Sequence, residues 1–342
     1  MKKIAMLIAL CVVAVGSVLG IDADAQTGVV GGVGLALAPL ATQKAVFLNS
    51  LKEEYEKIDT WLSTAEDLSS FVEDGQTLKF PEAGADPAVY KNRTTDVDSV
   101  EPTETVYSEE LDVYDSQNYK IRNIWLHALP FEKVQFYTRK SADSIVKKEI
   151  ADAAYNFAPL QAGPKSIVLP TTGDGADGHK MITLSDVLTL AKTADRMQMP
   201  EGRRNLVLPS DMWWELVNNN EILKGQLKYQ QNTGVIEPKM VNYYGINIHK
   251  SLGDKLGLGY DVNTSKKAAQ GATITGTVCP AALFYCGEEV YRAGGNFEMF
   301  YLDKSQNPGG RAYEFGFQHR FKAGHQMSND RYCGIIYKPQ SV

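Results

Sequence analysis

The chain has 342 residues, of which 44% are hydrophobic, so it can bury one large core or two ordinary ones and is not expected to be generally disordered. The formal net charge is −6, and the basic pairs at 147–148, 203–204 and 266–267 are isolated from one another in sequence. Proteins that bind nucleic acid directly usually carry a basic stripe, so direct nucleic-acid binding is not expected.

The N-terminus has the pattern of a secretory leader. Lys2-Lys3 precedes an almost uninterrupted apolar run from Ile4 to Val18, and Ala23-Asp24-Ala25 fits the small-x-small rule for cleavage before Gln26. The apolar run is too short for a comfortable membrane span. Taken alone, residues 1–25 therefore predict a signal peptide.

The next segments alternate helical and extended patterns. Residues 43–74 have helical composition, because apolar residues recur there at three- and four-residue steps. A short strand is expected from Thr77 to Phe80. The stretch from Asp96 to Asp115 has eight acidic residues and no basic one, which favours a projecting hairpin or long loop. A strand of period two follows from Tyr119 to Trp125.

A long helix is predicted between Phe131 and Phe157, where glycine and proline are absent. At 1.5 Å per residue such a helix would be about 40 Å long. Its apolar stripe is formed by Ala142, Ile145, Ile150, Ala153 and Phe157.

Shorter elements fill the second half of the chain. Helix 184–197 is expected to begin after Thr183 as N-cap, and strand 205–208 to lead into a helix capped by Ser210 that runs through Leu216. The remaining segments read as short strands at 166–169, 234–236, 245–249, 281–285, 297–302, 313–319 and 332–337.

Signatures of the large enzyme classes are missing. The sequence has no dinucleotide or phosphate-binding glycine motif, no G-x-S-x-G elbow and no H-E-x-x-H. His319, His325 and Cys333 do not have the spacing of a usual metal site, and Asp174 and Asp177 belong to a turn without the donors of a calcium loop. We therefore expect no catalytic, cofactor-binding or metal residues, and a protein that is not an enzyme.

Two sequence features indicate packing rather than chemistry. Three cysteines outside the leader, Cys279, Cys286 and Cys333, have no C-x-x-C spacing and are expected to be small buried residues. The adjacent Trp213 and Trp214 would point about 100° apart on a helix, so one is expected to fill the core and the other to meet a second surface.

Several phrases together resemble the major capsid proteins of tailed bacteriophages, which have the Hong Kong ninety-seven type fold. These phrases are "RRNLVLPSDMWWEL", "YGINIHKS", the two loop flanks "FVEDGQTLKFPEAG" and "LDVYDSQNYKIRNIWLHALPFEK", and the final "GGRAYEFGFQHRFKAGHQMSNDRYCGIIYKP". The likeness covers roughly residues 60–338.

The resemblance implies an α+β fold with an N-terminal arm, an extended loop, a peripheral domain with a long spine helix, and an axial domain. The implied divisions are a signal-like or cleavable leader at 1–25, the arm at 26–60, the extended loop and peripheral strands at 61–130, the spine helix at 131–165, the axial domain at 166–300, and closing strands that return to the peripheral domain at 301–342.

The implied function is self-assembly into the icosahedral head of a tailed phage, as hexamers and pentamers that enclose double-stranded DNA without reading its sequence. The implied partners are a scaffold, a portal and a maturation protease, with assembly in the host cytoplasm and no stable membrane association in the mature form. Candidate contacts between subunits are Glu104, Glu109, Glu110, Asp112, Arg203, Arg204, Trp213 and Trp214, with the acidic residues expected to meet basic side chains of a neighbour. Further candidate partners for the acidic residues are Lys266, Lys267, Arg320 and Lys322.

Two alternatives remain at this point: an exported binding protein or enzyme, and an encapsulin-like cargo compartment of the same fold. Residues 1–25 accordingly stay open as a signal peptide, as a leader cut by a maturation protease, or as a misassigned start.

We predict that the mature chain begins near Gln26 or beyond, since the apolar run from Ile4 to Val18 would form an exposed patch on an assembled surface. N-terminal sequencing of purified particles tests this expectation, and a sequence that starts at Met1 would contradict it.

Overall fold

The computed structural model describes residues 61–82, 89–92, 105–122, 130–175, 178–219, 240–251, 256–302, 312–326 and 331–340. The predicted leader, the N-terminal arm and the strand at 234–236 lie outside these ranges. In the described part of the chain the α-helices are α1 (Pro130–Phe157), α2 (Leu184–Arg196) and α3 (Ser210–Asn218). Short 3₁₀ turns occur at Leu62–Thr64 and Ser69–Phe71.

Eighteen strands are present among these residues. In chain order they are β1 (Glu66–Asp67), β2 (Val72–Glu73), β3 (Thr77–Glu82), β4 (Thr105–Glu110), β5 (Asp112–Asp115), β6 (Tyr119–Arg122), β7 (Ser166–Pro170), β8 (Gly173–Asp174), β9 (Lys180–Met181), β10 (Arg204–Leu208), β11 (Met240–Tyr243), β12 (Ile246–Lys250), β13 (Gly259–Asp261), β14 (Lys266–Lys267), β15 (Val278–Cys286), β16 (Val290–Leu302), β17 (Ala312–His325) and β18 (Cys333–Tyr337).

Two larger sheets organise the fold. The central sheet has eight strands in the order β11-β12-β10-β15-β13-β14, with β18 joining β15 to β7. The hairpin sheet has the order β1-β16-β17-β5, and β6 also pairs with β17. Strands β2, β3 and β4 form a separate three-stranded sheet, and β8 pairs with β9.

The central sheet is buried on both faces. Along β10, Leu206 and Leu208 pack with the side chains of α2 and α3, whereas Val207 points to the opposite core, which contains Phe157 at the end of α1. Strand β15 shows the same alternation, with Phe284 on the first face and Tyr285 on the second. The period of two places alternate side chains on opposite faces, so both faces are apolar.

Helix α1 confirms the predicted long helix, and every member of its predicted apolar stripe is buried. Its C-terminal end is capped from a distant part of the chain. The ammonium group of Lys267 donates to the carbonyls of Tyr155 and Ala158, each at 2.7 Å. A cation at this end also interacts favourably with the negative pole of the helix dipole.

The helix α2 begins as predicted. The Thr183 side chain accepts from the backbone N–H of Asp186, and the Asp186 carboxylate accepts from the backbone N–H of Thr183, which is a reciprocal capping box. For α3 the predicted cap was wrong. Pro209 is the N-cap and Ser210 is the first helical residue, because the carbonyl of Pro209 already accepts from the N–H of Trp213.

The predicted helix at 43–74 was wrong over its described part. Residues 61–74 form two short 3₁₀ turns and the two-residue strands β1 and β2. Tertiary contacts override the helical pattern here, since Trp61 is fully buried against Phe157 and Tyr285, and Glu66 pairs in parallel with Tyr291.

Strands β16 and β17 are far longer than the short strands expected at 297–302 and 313–319. Glycines lie inside these strands, at positions where another part of the chain approaches closely. A Cβ on Gly316 would lie 2.1 Å from Oδ1 of Asn118, and one on Gly295 would lie 2.9 Å from the carbonyl oxygen of Gly75. Glycine in a strand marks such an approach as often as a turn.

The three cysteines at 279, 286 and 333 are free and buried, as expected. Burial raises the pKa of the Cys279 and Cys286 thiols, which keeps both in the unreactive protonated form.

A buried histidine links two strands of the central sheet. His249 on β12 is 2% exposed, and its Nε2 lies 3.1 Å from Oδ1 of Asn205 on β10. The amide nitrogen of Asn205 donates to the carbonyl of Arg203, so its oxygen faces the imidazole as an acceptor. Burial lowers the pKa of His249 from 6.5 to about 4.

This shift predicts a loss of stability in mild acid. The folded state keeps His249 neutral while the unfolded chain binds a proton below pH 6.5, so the free energy of unfolding should fall as the pH drops from 6.5 to about 4. The total contribution is roughly 3 kcal/mol. Denaturant unfolding of the wild type and of His249→Gln at pH 7 and 4.5 measures it, and the variant should lose less stability. Equal losses in the two proteins would contradict the assignment.

Candidate functional site

The described residues contain no group of three or more His, Cys, Asp or Glu side chains placed to hold a metal ion. Of the metal candidates weighed from sequence, His319 contacts Glu149 and Cys333 is buried in β18. Asp174 accepts from Lys180 at 2.5 Å, and Asp177 lies outside the described residues. No helix of the described chain is long and apolar enough to cross a membrane.

The α1 helix is fixed on the hairpin sheet by polar contacts as well as by apolar packing. Nδ1 of His319 on β17 lies 2.5 Å from Oε1 of Glu149, and both side chains are at most 2% exposed. The His319 ring also stacks on Phe297 with the ring centroids 3.7 Å apart.

Two further contacts follow along the same helix. The hydroxyl of Tyr114 on β5 donates to Asp152 at 2.7 Å, and burial together with this carboxylate raises the pKa of Tyr114. The amide of Asn156 donates to the carbonyl of Ala323 at 3.0 Å. Because these contacts lie three and four residues apart, they follow one side of the helix and fix its rotation about its own axis.

The flanks of the predicted extended loop pair with each other. Strand β3 runs antiparallel to β4 over six residue pairs, from Thr77↔Glu110 to Glu82↔Thr105. Glu104 lies outside the described residues.

The next segment of the acidic stretch, β5, pairs with β17 of the same chain. The expectation of a projecting hairpin or long loop is therefore wrong for Asp112–Asp115, because β17 offers these residues a backbone partner.

Several of the acidic candidates have partners within the chain. Glu109 accepts from the hydroxyl of Tyr291 at 2.7 Å, and Asp112 lies 3.2 Å from the ammonium group of Lys322. Glu110 lies at the end of β4. The carboxylates of Glu109 and Asp112 are thus not the unopposed charges that the sequence suggested.

Two basic candidates also serve the fold itself. Arg204 is 3% exposed and donates to Asp195 at 2.6 Å and to the carbonyl of Met199 at 2.6 Å, so it ties the end of α2 to β10. Its assignment as a contact between subunits is corrected, because its guanidinium is buried inside the chain. Lys267 caps α1, as described above. Arg203 is exposed and lies 3.5 Å from Glu288, a geometry that leaves it accessible to a neighbour.

The two tryptophans divide as predicted. Trp213 is 3% exposed and packs in the core between α3 and the central sheet. Trp214 is 55% exposed, and the ammonium group of Lys250 lies 4.3 Å from its ring centroid. The exposed indole is available for a second surface, whereas Trp213 belongs to the chain's own core.

The open face of the hairpin sheet, opposite α1, is also partly apolar. Phe300 is 54% exposed beside a shallow depression of about 310 Å³ that is lined by Asp115, Ser116, Asn118, Phe300, Gly316 and Phe317.

Comparison of the whole chain with solved structures identifies the architecture. The capsid of cyanophage P-SCSP1u matches with a TM-score of 0.53 and 15% identity over 93% of this chain and 97% of that one. The capsid of Ralstonia phage GP4 matches with a TM-score of 0.54 and 11% identity over 93% and 100%. The head of Helicobacter pylori bacteriophage KHP40 matches with a TM-score of 0.52 and 10% identity over 96% and 97%.

The fold is that of phage capsid proteins. The predicted α+β class and the resemblance stated from sequence are thereby confirmed. No family model matches the chain, and no curated protein matches its sequence. The TM-scores above 0.5 over nearly the whole chain establish the capsid fold. Sequence identities of 10 to 15% do not by themselves establish the function of this chain.

Sequence reasoning missed the pair that joins the helix to the sheet in this capsid fold. Glu149 stands between Ile145 and Ala153 at four-residue spacing, within the apolar stripe of α1. A carboxylate at a buried stripe position is the signal that it has a buried polar partner. The sequence did not identify that partner, because His319 is 170 residues away.

The tryptophan pair gives a direct prediction. Trp213→Ala should lower the free energy of unfolding by about 3 to 5 kcal/mol through the cavity it leaves. Trp214→Ala should cost about 1 kcal/mol or less, the size of an exposed cation–π contact. Denaturant unfolding of both variants checks the difference, and equal, small losses would show that neither indole is buried.

Proposed function

We propose that this chain is a major capsid protein that self-assembles into the icosahedral head of a tailed bacteriophage and encloses double-stranded DNA. The observation that carries the proposal is the fold likeness, which extends over at least 93% of this chain and at least 97% of each of the three capsid structures described above. The role is structural rather than enzymatic. The assembly partners are other copies of the chain in hexamers and pentamers, with a scaffold, a portal and a maturation protease.

The domain division follows the two sheets. The hairpin sheet with α1 forms the peripheral domain, with α1 as its spine helix, and the central sheet with α2 and α3 forms the axial domain. The boundary between the axial domain and the closing strands was expected at residue 300. It is moved to the turn before Val290, because β16 and β17 share one sheet. The closing strand β18 is assigned to the axial domain, because it pairs with β15 and β7.

Contacts between subunits in this proposal are head-to-tail and close into rings. The surfaces that serve them are Trp214 with Lys250 on the axial domain, the open face around Phe300, and Arg203. The acidic candidates Glu104 and Glu110 extend this set at the β3–β4 arm. Weak, repeated contacts of this kind allow errors in assembly to be corrected.

Assembly takes place in the host cytoplasm, and residues 1–25 are in this proposal a leader that the maturation protease removes. Export through the same segment is the competing interpretation, and the two differ in where the mature protein is found.

Electron microscopy of the purified full-length protein tests the proposal. We expect uniform closed shells, and DNA-filled heads when the protein is expressed with the other phage head components. A monodisperse exported monomer would contradict the proposal. Shells that enclose a protein cargo and never DNA would favour the encapsulin-like alternative.

The acidic arm yields a second test. Replacing Glu104, Glu109, Glu110 and Asp112 by their amides removes the charges of Glu104 and Glu110, which would steer docking on a basic neighbour. It also removes those of Glu109 and Asp112, which contact Tyr291 and Lys322 of the same chain. Each exposed pair contributes only about 0 to 1 kcal/mol, but a shell repeats the contact many times. We expect slower assembly with a weaker dependence on salt concentration, followed by light scattering.

The control for the arm is Asp112→Asn alone, which removes the contact with Lys322 of the same chain. If the fourfold variant assembles normally and keeps the wild-type salt dependence, the arm is a solvated acidic face and the steering argument fails.

A further inference from the structure

The solvent side of α1 carries a stripe of positive charge. Among the described side chains of this helix, Arg139, Lys140, Lys147 and Lys148 are exposed, and Asp143 is the exposed carboxylate. We call the four basic residues the basic stripe. Lys148 is paired with Asp152, so four positive charges stand against two negative ones and leave a local excess of two, in a chain whose formal net charge is −6.

The basic stripe is centred on a line along the solvent side of the helix. Lys140 and Lys147 are seven residues apart, which is two helical turns, so they project from nearly the same line about 10 Å apart along the axis. Arg139 and Lys148 flank this line on either side. The pair at 147–148, which looked isolated in sequence, therefore lies beside Arg139 and Lys140 on the solvent side of α1, whereas the pairs at 203–204 and 266–267 lie elsewhere.

Contacts within the chain hold the basic stripe outward. Glu149, Asp152 and Asn156 bind the hairpin sheet from the opposite side of α1, so the helix is not free to rotate. The ammonium group of Lys148 lies 3.1 Å from Asp152. The ammonium group of Lys140 lies 4.7 Å from the ring centroid of Phe136.

We propose that the basic stripe binds the phosphate backbone of the double-stranded DNA inside the shell, and that this side of α1 faces the interior. The inference rests on the proposed function. Long lysine and arginine side chains on a convex helix contact phosphates and do not select bases, which suits a wall that meets every sequence of a packaged genome.

The local chemistry favours DNA over an acidic protein segment. The strongest acidic segment of the chain already uses Glu109, Asp112 and Asp115 in contacts with Tyr291, Lys322 and Gln318 of its own subunit. A neighbour's β4 and β5 thus have fewer charges left for this helix, whereas DNA offers one negative charge for about every 1.7 Å of its length.

The test compares two full-length variants with equal changes in charge. The stripe variant is Arg139→Gln, Lys140→Gln, Lys147→Gln and Lys148→Gln. The matched control is Lys91→Gln, Lys165→Gln, Lys192→Gln and Arg196→Gln, which neutralises four exposed basic residues elsewhere that have no place in the proposed contacts between subunits. Glutamine has nearly the helix propensity of lysine and arginine, so both variants should fold, and thermal unfolding verifies this.

Binding to a 30-base-pair duplex of random sequence is measured by fluorescence anisotropy across a salt series. Neutralising four phosphate contacts should reduce the slope of log affinity against log salt concentration by between about 3 and 4 in the stripe variant. Its affinity at low salt should fall by about tenfold or more. The control should stay within about one unit of the wild-type slope.

Equal effects in the two variants would overturn the inference, since the binding would then follow total charge alone. A stripe variant that binds DNA like the wild type but loses binding to polyglutamate would assign the stripe to an acidic protein partner instead. Electron microscopy of the same preparations separates the two proposals. Shells with unaltered DNA binding refute the inference alone, and the absence of shells from the wild-type protein refutes the proposed function.

Discussion

The attachment of α1 to the hairpin sheet is the constraint on which the rest of the structure depends. At its centre, the carboxylate of Glu149 and the imidazole of His319 are both almost fully buried and 2.5 Å apart. Removing either partner would leave a buried polar or charged group without its bond, which is strongly unfavourable. The pair therefore specifies one rotation and one register of the helix on the sheet.

The fixed rotation of α1 on the hairpin sheet determines which of its side chains face the core and which face solvent. The apolar side of α1 extends the core to Phe157, which packs against Trp61 before the first 3₁₀ turn and against Tyr285 of the central sheet. The other side presents the basic stripe. A shell subunit needs faces that are identical in every copy, so a helix whose rotation is fixed by buried contacts suits assembly better than one held by apolar packing alone.

Local patterns predicted the elements that depend on neighbours in sequence. The length of α1 follows from its uninterrupted stripe, and the capping box of α2 follows from Thr183 and Asp186. The division of Trp213 and Trp214 follows from helix geometry. The phrases that resemble capsid proteins were sufficient for the fold class, although the identity to each solved capsid described above is at most 15%.

The remaining features depend on partners far along the chain. Lys267 caps a helix that ends more than 100 residues earlier, and Arg204 is buried because α2 turns back beside β10. The long hairpin was missed because its glycines accommodate neighbouring segments rather than turns.

A double-mutant cycle on Glu149→Gln and His319→Gln, followed by denaturant unfolding, tests most directly the claim that this buried pair fixes α1 on the hairpin sheet. The account predicts an interaction energy of about 1 to 3 kcal/mol between the two changes, and additivity within about 0.5 kcal/mol would contradict it.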